Sequence, residues 1–285
     1  MLIIADSGST KTDWFVVENN EITRTFRSQG INPFHQDVTE IRRTLNEEVL
    51  CMMTEELLSS DLQIAFYGSG CTVEKIPVMQ PILAGGFSLP LQSVEVAGDL
   101  LGAARAVCGH ESGIACILGT GANSCLYDGK EMTSNIPPLG YILGDEGSGA
   151  VLGKRFMNGI FKGWIPERIK AMYLKETNQT YSSVISKVYS EPLANRYLAT
   201  VSKFVGKHID EEPLRKLVRD NFSDFMKYNI LPYNEVSKIG FIGSVAVAFS
   251  DILKEVCNEY GFEVSRIDQS PVSGLLDYYS KLNVK

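Results

Sequence analysis

The sequence predicts an α/β protein built from two halves of similar plan. Two observations carry this. A strand, a Gly-rich turn and a second strand occur twice, around residue 8 (LIIADSGSTKTDWFVVENN) and around residue 120 (IACILGTGANSCLY). In each half the strands come first and helical periodicity follows, as layered α/β architectures require. The chain has 285 residues, 44% of them apolar, enough for one large or two medium cores.

The elements follow in order. Residues 2–6, 13–19 and 21–27, the last two separated by Asn19-Asn20, read as a meander of three short strands. Residues 37–58 place Ile41, Leu45, Val49, Met52 and Leu57 at helical spacing, with the Met52-Met53 pair read as core. A strand at 61–67, a helix around 73–84 and a strand at 93–97 come next. Asp99 then opens the helix DLLGAARAV as an N-cap neighbour. Ile114 to Leu118 is a strand, GTGANS a turn, and Ser124 to Tyr127 a strand that ends at the hairpin signal Asp128-Gly129. From Gly147 to about 230 the pattern is helical and charged. A strand at 238–242, the turn Gly243-Ser244, a helix over 245–260, a strand at 262–267 and a final helix from Pro271 complete the chain. The cleanest boundary lies at 108–113, which separates 1–108 from 109–270.

Composition excludes several classes. No apolar run approaches the roughly 20 residues that cross a bilayer. The start lacks a basic n-region and reads as a core strand, so no signal peptide is expected. A net charge of −7 and a pI near 5.2 argue against nucleic acid and anionic membrane as partners. The six cysteines, Cys51, Cys71, Cys108, Cys116, Cys125 and Cys257, form no C-x-x-C pair. A reduced, cytoplasmic protein without structural zinc is expected.

Chemistry concentrates in five places. The first turn, Ser7-Gly8-Ser9-Thr10-Lys11-Thr12, reads as longer than a two-residue hairpin turn. Gly8 permits close approach of the backbone to a ligand, and Thr10 and Lys11 add a hydroxyl and a positive charge, a combination that suits phosphate. Asp6, at the end of the strand, could hold Mg²⁺ through water. The second turn, Gly119-Thr120-Gly121-Ala122-Asn123-Ser124, would clamp a polyphosphate from the other side. Neither turn is a Walker loop or a dinucleotide fingerprint. Gly144-Asp145-Glu146-Gly147 puts two adjacent acids at a helix start, where they are either caps or ligands of a metal or polyol. Asp99 is either a cap or a general base for phosphoryl transfer. Gly243-Ser244, between a strand and a helix, could lie against a flat base.

Together these motifs resemble the N-acetylglucosamine kinase and benzoyl-CoA-reductase-type ATPase family of the actin-like ATPase and sugar kinase superfamily. The likeness runs the length of the chain in order: DSGSTKTD at 6–13, DLLGAARA at 99–106, GTGANS at 119–124, GDEGSG at 144–149, FIGSVA at 241–246 and PVSGLL at 271–276. It implies a two-lobed, duplicated, ribonuclease H-like fold with ATP in the interlobe cleft and the helix at about 271–285 returning to the first lobe. It assigns Gly8, Ser9, Thr10, Lys11, Thr12, Gly119, Thr120, Gly121, Gly243 and Ser244 to ATP, and Asp6 to Mg²⁺. It assigns Asn32, Asp99, Thr120, Gly121, Asn123, Gly140, Asp145 and Glu146 to an amino sugar, with Asp99 as catalytic base. The family often reads Gly-Gly-Trp-Gly where this chain has Pro137-Pro138-Leu139-Gly140, so an aromatic that could stack on the sugar is missing.

The expected activity is transfer of the ATP γ-phosphate to a hydroxyl, the 6-hydroxyl, of N-acetylglucosamine or a related amino sugar. One alternative is an ATPase that drives electron transfer in a partner enzyme, with Cys108, Cys116 and Cys125 as candidate cluster ligands. Another is a sugar- or nucleotide-binding protein with weak catalysis. A homodimer is left open as an assembly.

Overall fold

The structure, a computed structural model, describes residues 1–8, 10–53, 61–234 and 236–282. It divides into two compact units, Met1–His110 with Ser270–Lys285, and Glu111–Gln269.

The first unit is built on five strands: β1 (Leu2–Ser7), β2 (Lys11–Glu18), β3 (Glu21–Gln29), β4 (Gln63–Gly68) and β5 (Val94–Gly98). Their order in the sheet is β3-β2-β1-β4-β5. The hairpin pairs β1·β2 and β2·β3 are antiparallel, whereas β1·β4 and β4·β5 are parallel. Parallel neighbours require a crossover, and α2 (Ile76–Gly86) supplies the one between β4 and β5. Between β3 and β4 the chain forms α1 (Val38–Thr44), whose N-cap Asp37 exchanges bonds with Glu40 in a capping box. After β5 comes α3 (Asp99–Cys108). Trp14 stands at the centre of the core, stacked on Phe26 at 6.0 Å and close to Phe66 and Phe87.

The helix expected over 37–58 does not hold one phase. After α1 the chain widens into a π turn at Leu45–Val49 and tightens into a 3₁₀ turn at Leu50–Met52. Ile41, Leu45 and Val49 are buried as expected, but Met52 is 39% exposed. A turn that is first wider and then narrower than 3.6 residues rotates position 52 off the buried stripe. Leu57 and the rest of that predicted helix beyond Met53 lie outside the described residues.

The second unit repeats the plan. Its strands are β6 (Gly113–Leu118), β7 (Ala122–Tyr127), β8 (Met132–Asn135), β9 (Lys238–Ile242) and β10 (Glu263–Asp268), ordered β10-β9-β6-β7-β8. Again the hairpin-linked strands are antiparallel and the crossover strands parallel. A helical insertion fills the interval between β8 and β9: α4 (Gly140–Leu143), α5 (Gly149–Lys162), α6 (Glu167–Thr177), α7 (Tyr181–Tyr189), α8 (Ala194–Lys207) and α9 (Glu212–Phe225). The helix expected over 245–260 is two, α10 (Ser244–Ala248) and α11 (Ser250–Glu259). The break at Phe249 turns its ring into the core beside Phe222, 6.4 Å away. None of the described helices is long and apolar enough to cross a membrane.

Strand direction decides where chemistry can collect. In each unit the first strand is antiparallel to the second and parallel to the other three. Four strands therefore run out at the same sheet edge, and the second begins there. In the first unit that edge carries Asp6 to Lys11, the exit of β3, the β4 turn and Asp99. In the second it carries Gly119 to Gly121, the exit of β8 and Gly243.

Close helix packing in the first unit rests on a missing side chain. The C-terminal helix Val272–Leu282 packs on α3, and a Cβ at Gly274 would sit 2.1 Å from the Ala106 carbonyl oxygen. Gly274→Ala should therefore cost about 1–3 kcal/mol, as overpacking does. Gly85→Ala, in α2 with nothing within 4 Å of its Cβ, should be neutral or gain up to about 1 kcal/mol from reduced chain entropy. Denaturant melts of both variants check this, and equal effects would contradict the packing account.

Candidate active site

The first turn is tighter than the sequence suggests. Ser7 of β1 pairs in register with Thr12 of β2, and the Gly8 N–H donates to the Lys11 carbonyl at 3.0 Å. The reversal is confined between Gly8 and Lys11. Ser9, within it, lies outside the described residues. Gly8, Thr10 and Lys11 are exposed at the tip. The Lys11 Nζ reaches Asp13 Oδ2 at 2.5 Å, and Arg27 Nε reaches the other Asp13 oxygen at 2.6 Å. Thr12, expected beside the phosphates, is fully buried. Its hydroxyl meets that of Ser7 at 2.7 Å and the Gln29 carbonyl at 3.2 Å. Alternation along a strand sends Thr12 to the opposite face from Lys11, so it does not join the exposed tip.

Two carboxylates stand at this edge. Asp6 precedes the turn, and Asp99 is the first residue of α3, directly after β5. Gly98 is the N-cap of that helix, and Asp99 Oδ1 accepts from the Leu100 N–H at 2.9 Å. Burial pushes the Asp6 carboxyl up to about 6, and the negative charges of Asp99 and Asp13 add to the rise against the pull of Lys11 and a hydrogen bond from Ser270. Burial also raises Asp99, opposed by backbone amides. Among the described residues no group of three or more His, Cys, Asp or Glu side chains is placed to hold a metal. A single carboxylate amid excess negative charge still fits Mg²⁺, which keeps its waters and takes remaining ligands from phosphate.

Asn32 lies just beyond β3. It is buried, and its Oδ1 accepts from the Phe34 N–H at 2.9 Å. That leaves the amide nitrogen as the donor it can offer. Gly70, in the turn after β4, has φ +81° and passes so close that a Cβ there would lie 2.1 Å from Asn32 Oδ1. Gly70 was not among the sequence candidates. Its signal was the run Gly68-Ser69-Gly70 where a strand ends.

In the second unit β7 begins at Ala122, so the turn is only Gly119 to Gly121, closed by the Gly119 N–H to the Gly121 carbonyl at 2.9 Å. The carbonyls of Gly119 and Thr120 accept from the Gly149 and Ala150 amides at the start of α5, at 2.8 and 3.1 Å. In a trans peptide the N–H points opposite to its C=O. The N–H groups of Thr120 and Gly121 are thereby aimed away from α5, side by side, the arrangement that receives an anion.

The acids of the next motif are not caps. Ser148 caps α5, its Oγ accepting from the Val151 N–H at 3.1 Å. Asp145 has φ +57° and its N–H donates to the Pro138 carbonyl at 2.8 Å. Its carboxylate packs against the second turn: a Cβ at Gly121 would lie 3.1 Å from Asp145 Oδ2. Burial raises this carboxyl to about 6, against a bond from the Ala122 backbone, with Glu146 adding to the rise. Gly140, with φ +71°, opens α4 at the head of the same loop.

Three asparagines that sequence reading missed hold this cluster. Asn135 Nδ2 donates to Asn123 Oδ1 at 2.9 Å, and the Ser124 N–H donates to the same oxygen at 2.9 Å. Asn229 Nδ2 meets Glu146 Oε2 at 3.3 Å. Asn221, fully buried, accepts from the Gly147 N–H and donates to the Ser148 carbonyl. Asn221 and Asn229 come from α9 and the turn after it, more than 70 residues away in the chain, and no local pattern marks them.

Gly243 follows β9 with φ +126°, and a Cβ there would meet the Leu118 carbonyl at 2.4 Å. Only glycine fits, and it opens a flat step beside exposed Ser244. Cys116 and Cys125, candidate cluster ligands, are fully buried within β6 and β7, which removes them from any surface where two chains could share a cluster.

No protein-family model matches the chain, and no curated protein matches it. Solved structures do. A candidate N-acetylglucosamine kinase from Porphyromonas gingivalis is 44% identical over 99% of this chain and 100% of its own, with a TM-score of 0.92. A candidate N-acetylglucosamine kinase from Chromobacterium violaceum is 18% identical over 97% and 98%, with a TM-score of 0.71. A ROK family glucokinase from Streptomyces griseus, solved with glucose and AMPPNP, is 14% identical over 98% of both chains, with a TM-score of 0.55. The last two are alike in fold; the first is alike in sequence from end to end. The chain belongs to the family of the candidate N-acetylglucosamine kinase from Porphyromonas gingivalis.

Proposed function

We propose that this chain is an ATP-dependent kinase that transfers the γ-phosphate to the 6-hydroxyl of N-acetylglucosamine or a related amino sugar. The observation that carries this reading is Asp99: a carboxylate with a raised pKa at a strand-to-helix junction, in a chain 44% identical over its full length to a candidate N-acetylglucosamine kinase. A raised pKa brings a carboxylate nearer to the working pH of a general base.

In the proposed reaction the sugar hydroxyl oxygen bonds to the γ-phosphorus while the bond to the bridging oxygen of ADP breaks. Asp99 takes the hydroxyl proton. Asn32, Asn123, Asp145, Glu146 and the Gly140 backbone orient the sugar, and orientation supplies much of the rate. The N–H groups of Thr120 and Gly121, with Gly8, Thr10 and Lys11, stabilise the transferring charge. Gly243 and Ser244 accept the adenosine. Asp6 would hold Mg²⁺ through water, and the ion would neutralise phosphate charge. The location proposed for this ATP-consuming reaction is the cytoplasm. The burial of Cys116 and Cys125 counts against the electron-transfer alternative. The presence of both Asp6 and Asp99 counts against a binder without turnover.

ADP release from Mg-ATP across N-acetylglucosamine, glucosamine, N-acetylmannosamine, glucose and no sugar tests the reading. A large rise with one amino sugar is expected. A rate independent of sugar would overturn it.

Asp99→Asn should lower kcat on the order of 10²–10⁴-fold, the usual worth of a general base, while nucleotide binding by calorimetry stays within about twofold. Near-normal turnover would remove Asp99 from the role of base.

Asp145 yields a prediction about stability. Its carboxyl is raised to about 6 in the fold against about 3.9 unfolded, so the folded state binds more protons between those values. Stability therefore falls as pH rises from about 4 to about 6. Asp145→Asn should melt higher than the parent above pH 6, and the charge part of that gain should vanish below pH 4. Asparagine also tolerates the positive φ better than most residues, which adds a part independent of pH. Melts across pH separate the two, and a pH-independent difference would rule out the charge contribution.

A further inference from the structure

Thr12 sits in the first phosphate motif, yet its side chain faces away from the turn. It forms part of a buried hydroxyl pair that reaches a different segment. Thr12 Oγ1 and Ser7 Oγ lie 2.7 Å apart, and both residues are fully buried. Ser7 Oγ is 2.9 Å from the Ile31 carbonyl, and the Ile31 N–H lies 3.1 Å from Ser7 Oγ and 3.3 Å from Thr12 Oγ1.

Two hydroxyl hydrogens must serve three acceptors: the partner hydroxyl, the Ile31 carbonyl and the Gln29 carbonyl. The shortest assignment runs as a chain. Thr12 donates to Ser7, Ser7 donates to the Ile31 carbonyl, and the Ile31 N–H returns to the pair. Both backbone groups of Ile31 are thus tied to the phosphate hairpin, and the next residue is Asn32.

The far side of Asn32 is closed by Gly70, whose backbone leaves no room for a Cβ. The Asn32 N–H is held by Gln36 Oε1 at 2.8 Å, and Gln36 Nε2 donates to the Gly30 carbonyl at 3.1 Å. The backbone that leads into Asn32 is therefore held by the Ser7–Thr12 pair, and its side-chain amide is bounded by Gly70 and by the Phe34 N–H that donates to Oδ1.

We propose that Thr12 is a positioning residue for the sugar contact Asn32, and that Ser7, Thr12 and Gly70 form the cradle that aims its amide nitrogen at the acceptor. This assigns to the sugar side a residue whose motif assigns it to the nucleotide side. The inference rests on the kinase reading for its consequence in catalysis, although the link itself does not.

Two measurements keep those separable. Hydrogen–deuterium exchange of residues 29–36 requires no substrate. Thr12→Val, which keeps shape and removes the hydroxyl, should speed exchange there at least tenfold, and Thr12→Ser should stay within threefold of the parent. Unchanged exchange in Thr12→Val overturns the link, whatever the enzyme does. Where Thr12→Val does not fold, Ser7→Ala and Gly70→Ala are measured by the same criterion.

Kinetics then follow with the sugar that the parent enzyme uses. Thr12→Val should raise the KM for sugar at least tenfold with the KM for ATP within twofold, and Thr12→Ser should recover most of the loss. A rise confined to the KM for ATP returns Thr12 to the nucleotide and overturns the proposal. A parent enzyme without sugar-dependent turnover sinks the kinase reading alone, and the exchange result still decides the cradle.

Discussion

Each unit depends on one constraint of strand direction. A strand that pairs antiparallel on one side and parallel on the other puts a hairpin turn and several strand exits on one edge. β1 and β6 occupy that position in their sheets. Residues as far apart as Asp6, Asn32, Gly70 and Asp99 become neighbours along the edge without any long-range design beyond register. A one-residue slip of β2 would exchange its two faces. Thr12 would leave the buried side and Lys11 would enter it. The stacked Trp14 and Phe26 oppose such a slip, because a slip would move Trp14 off the core face. The aromatic core beneath the sheet thereby fixes the polar edge above it.

What the sequence made legible was whatever is coded locally. Alternating strands, the hairpin at Asp128-Gly129 and the strand-to-helix step at Asp99 all depend on neighbouring residues, and they fall within a residue or two of their observed bounds. The departures have separate causes. Met52 escaped the buried stripe because a π turn changed the helical period. The burial of the Thr12 side chain was not legible because motif membership says nothing about which face of a strand a residue occupies. The turns at Gly8 and Gly119 proved shorter because β2 and β7 begin sooner than their polar composition suggests. Asn221 and Asn229 could not be read at all: their partners lie more than 70 residues away, and only the folded chain brings them together.

Candidate site residues in each unit include groups that the fold holds against their preference. Asp6 and Asp145 are carboxylates whose burial opposes their charge. Leu139 and Asp145 take positive φ without being glycine, a conformation that costs on the order of 1 kcal/mol or more and survives only where the surroundings over-determine it. Here they do: the Pro138 carbonyl takes the Asp145 N–H, and Asn221 clamps the two residues that follow Glu146. Around Asp145 the strain and the charge sit in one loop. Relief of either would stabilise the chain and loosen the carboxylate.

The stretch Pro137-Pro138-Leu139-Gly140 belongs to this same loop, and its geometry says what replaces the missing aromatic. Proline fixes φ and withdraws a donor, so two in succession make a stiff approach to Gly140. That stiffness is transmitted: the Pro138 carbonyl holds Asp145, and Gly144 leaves only 2.2 Å between its absent Cβ and that oxygen. Leu139 points into solvent and offers no ring. In the proposed reaction this loop would therefore offer the sugar the Asp145 carboxylate, itself fixed by the Pro138 carbonyl, rather than a stacking plane. Sites built on buried polar groups discriminate steeply against acceptors that leave a partner unpaired and weakly against added bulk. In the proposed reaction a loop without the aromatic would therefore select on the hydroxyl pattern of the sugar rather than on its face, and the rigidity of Asp145 would set how sharp that selection is.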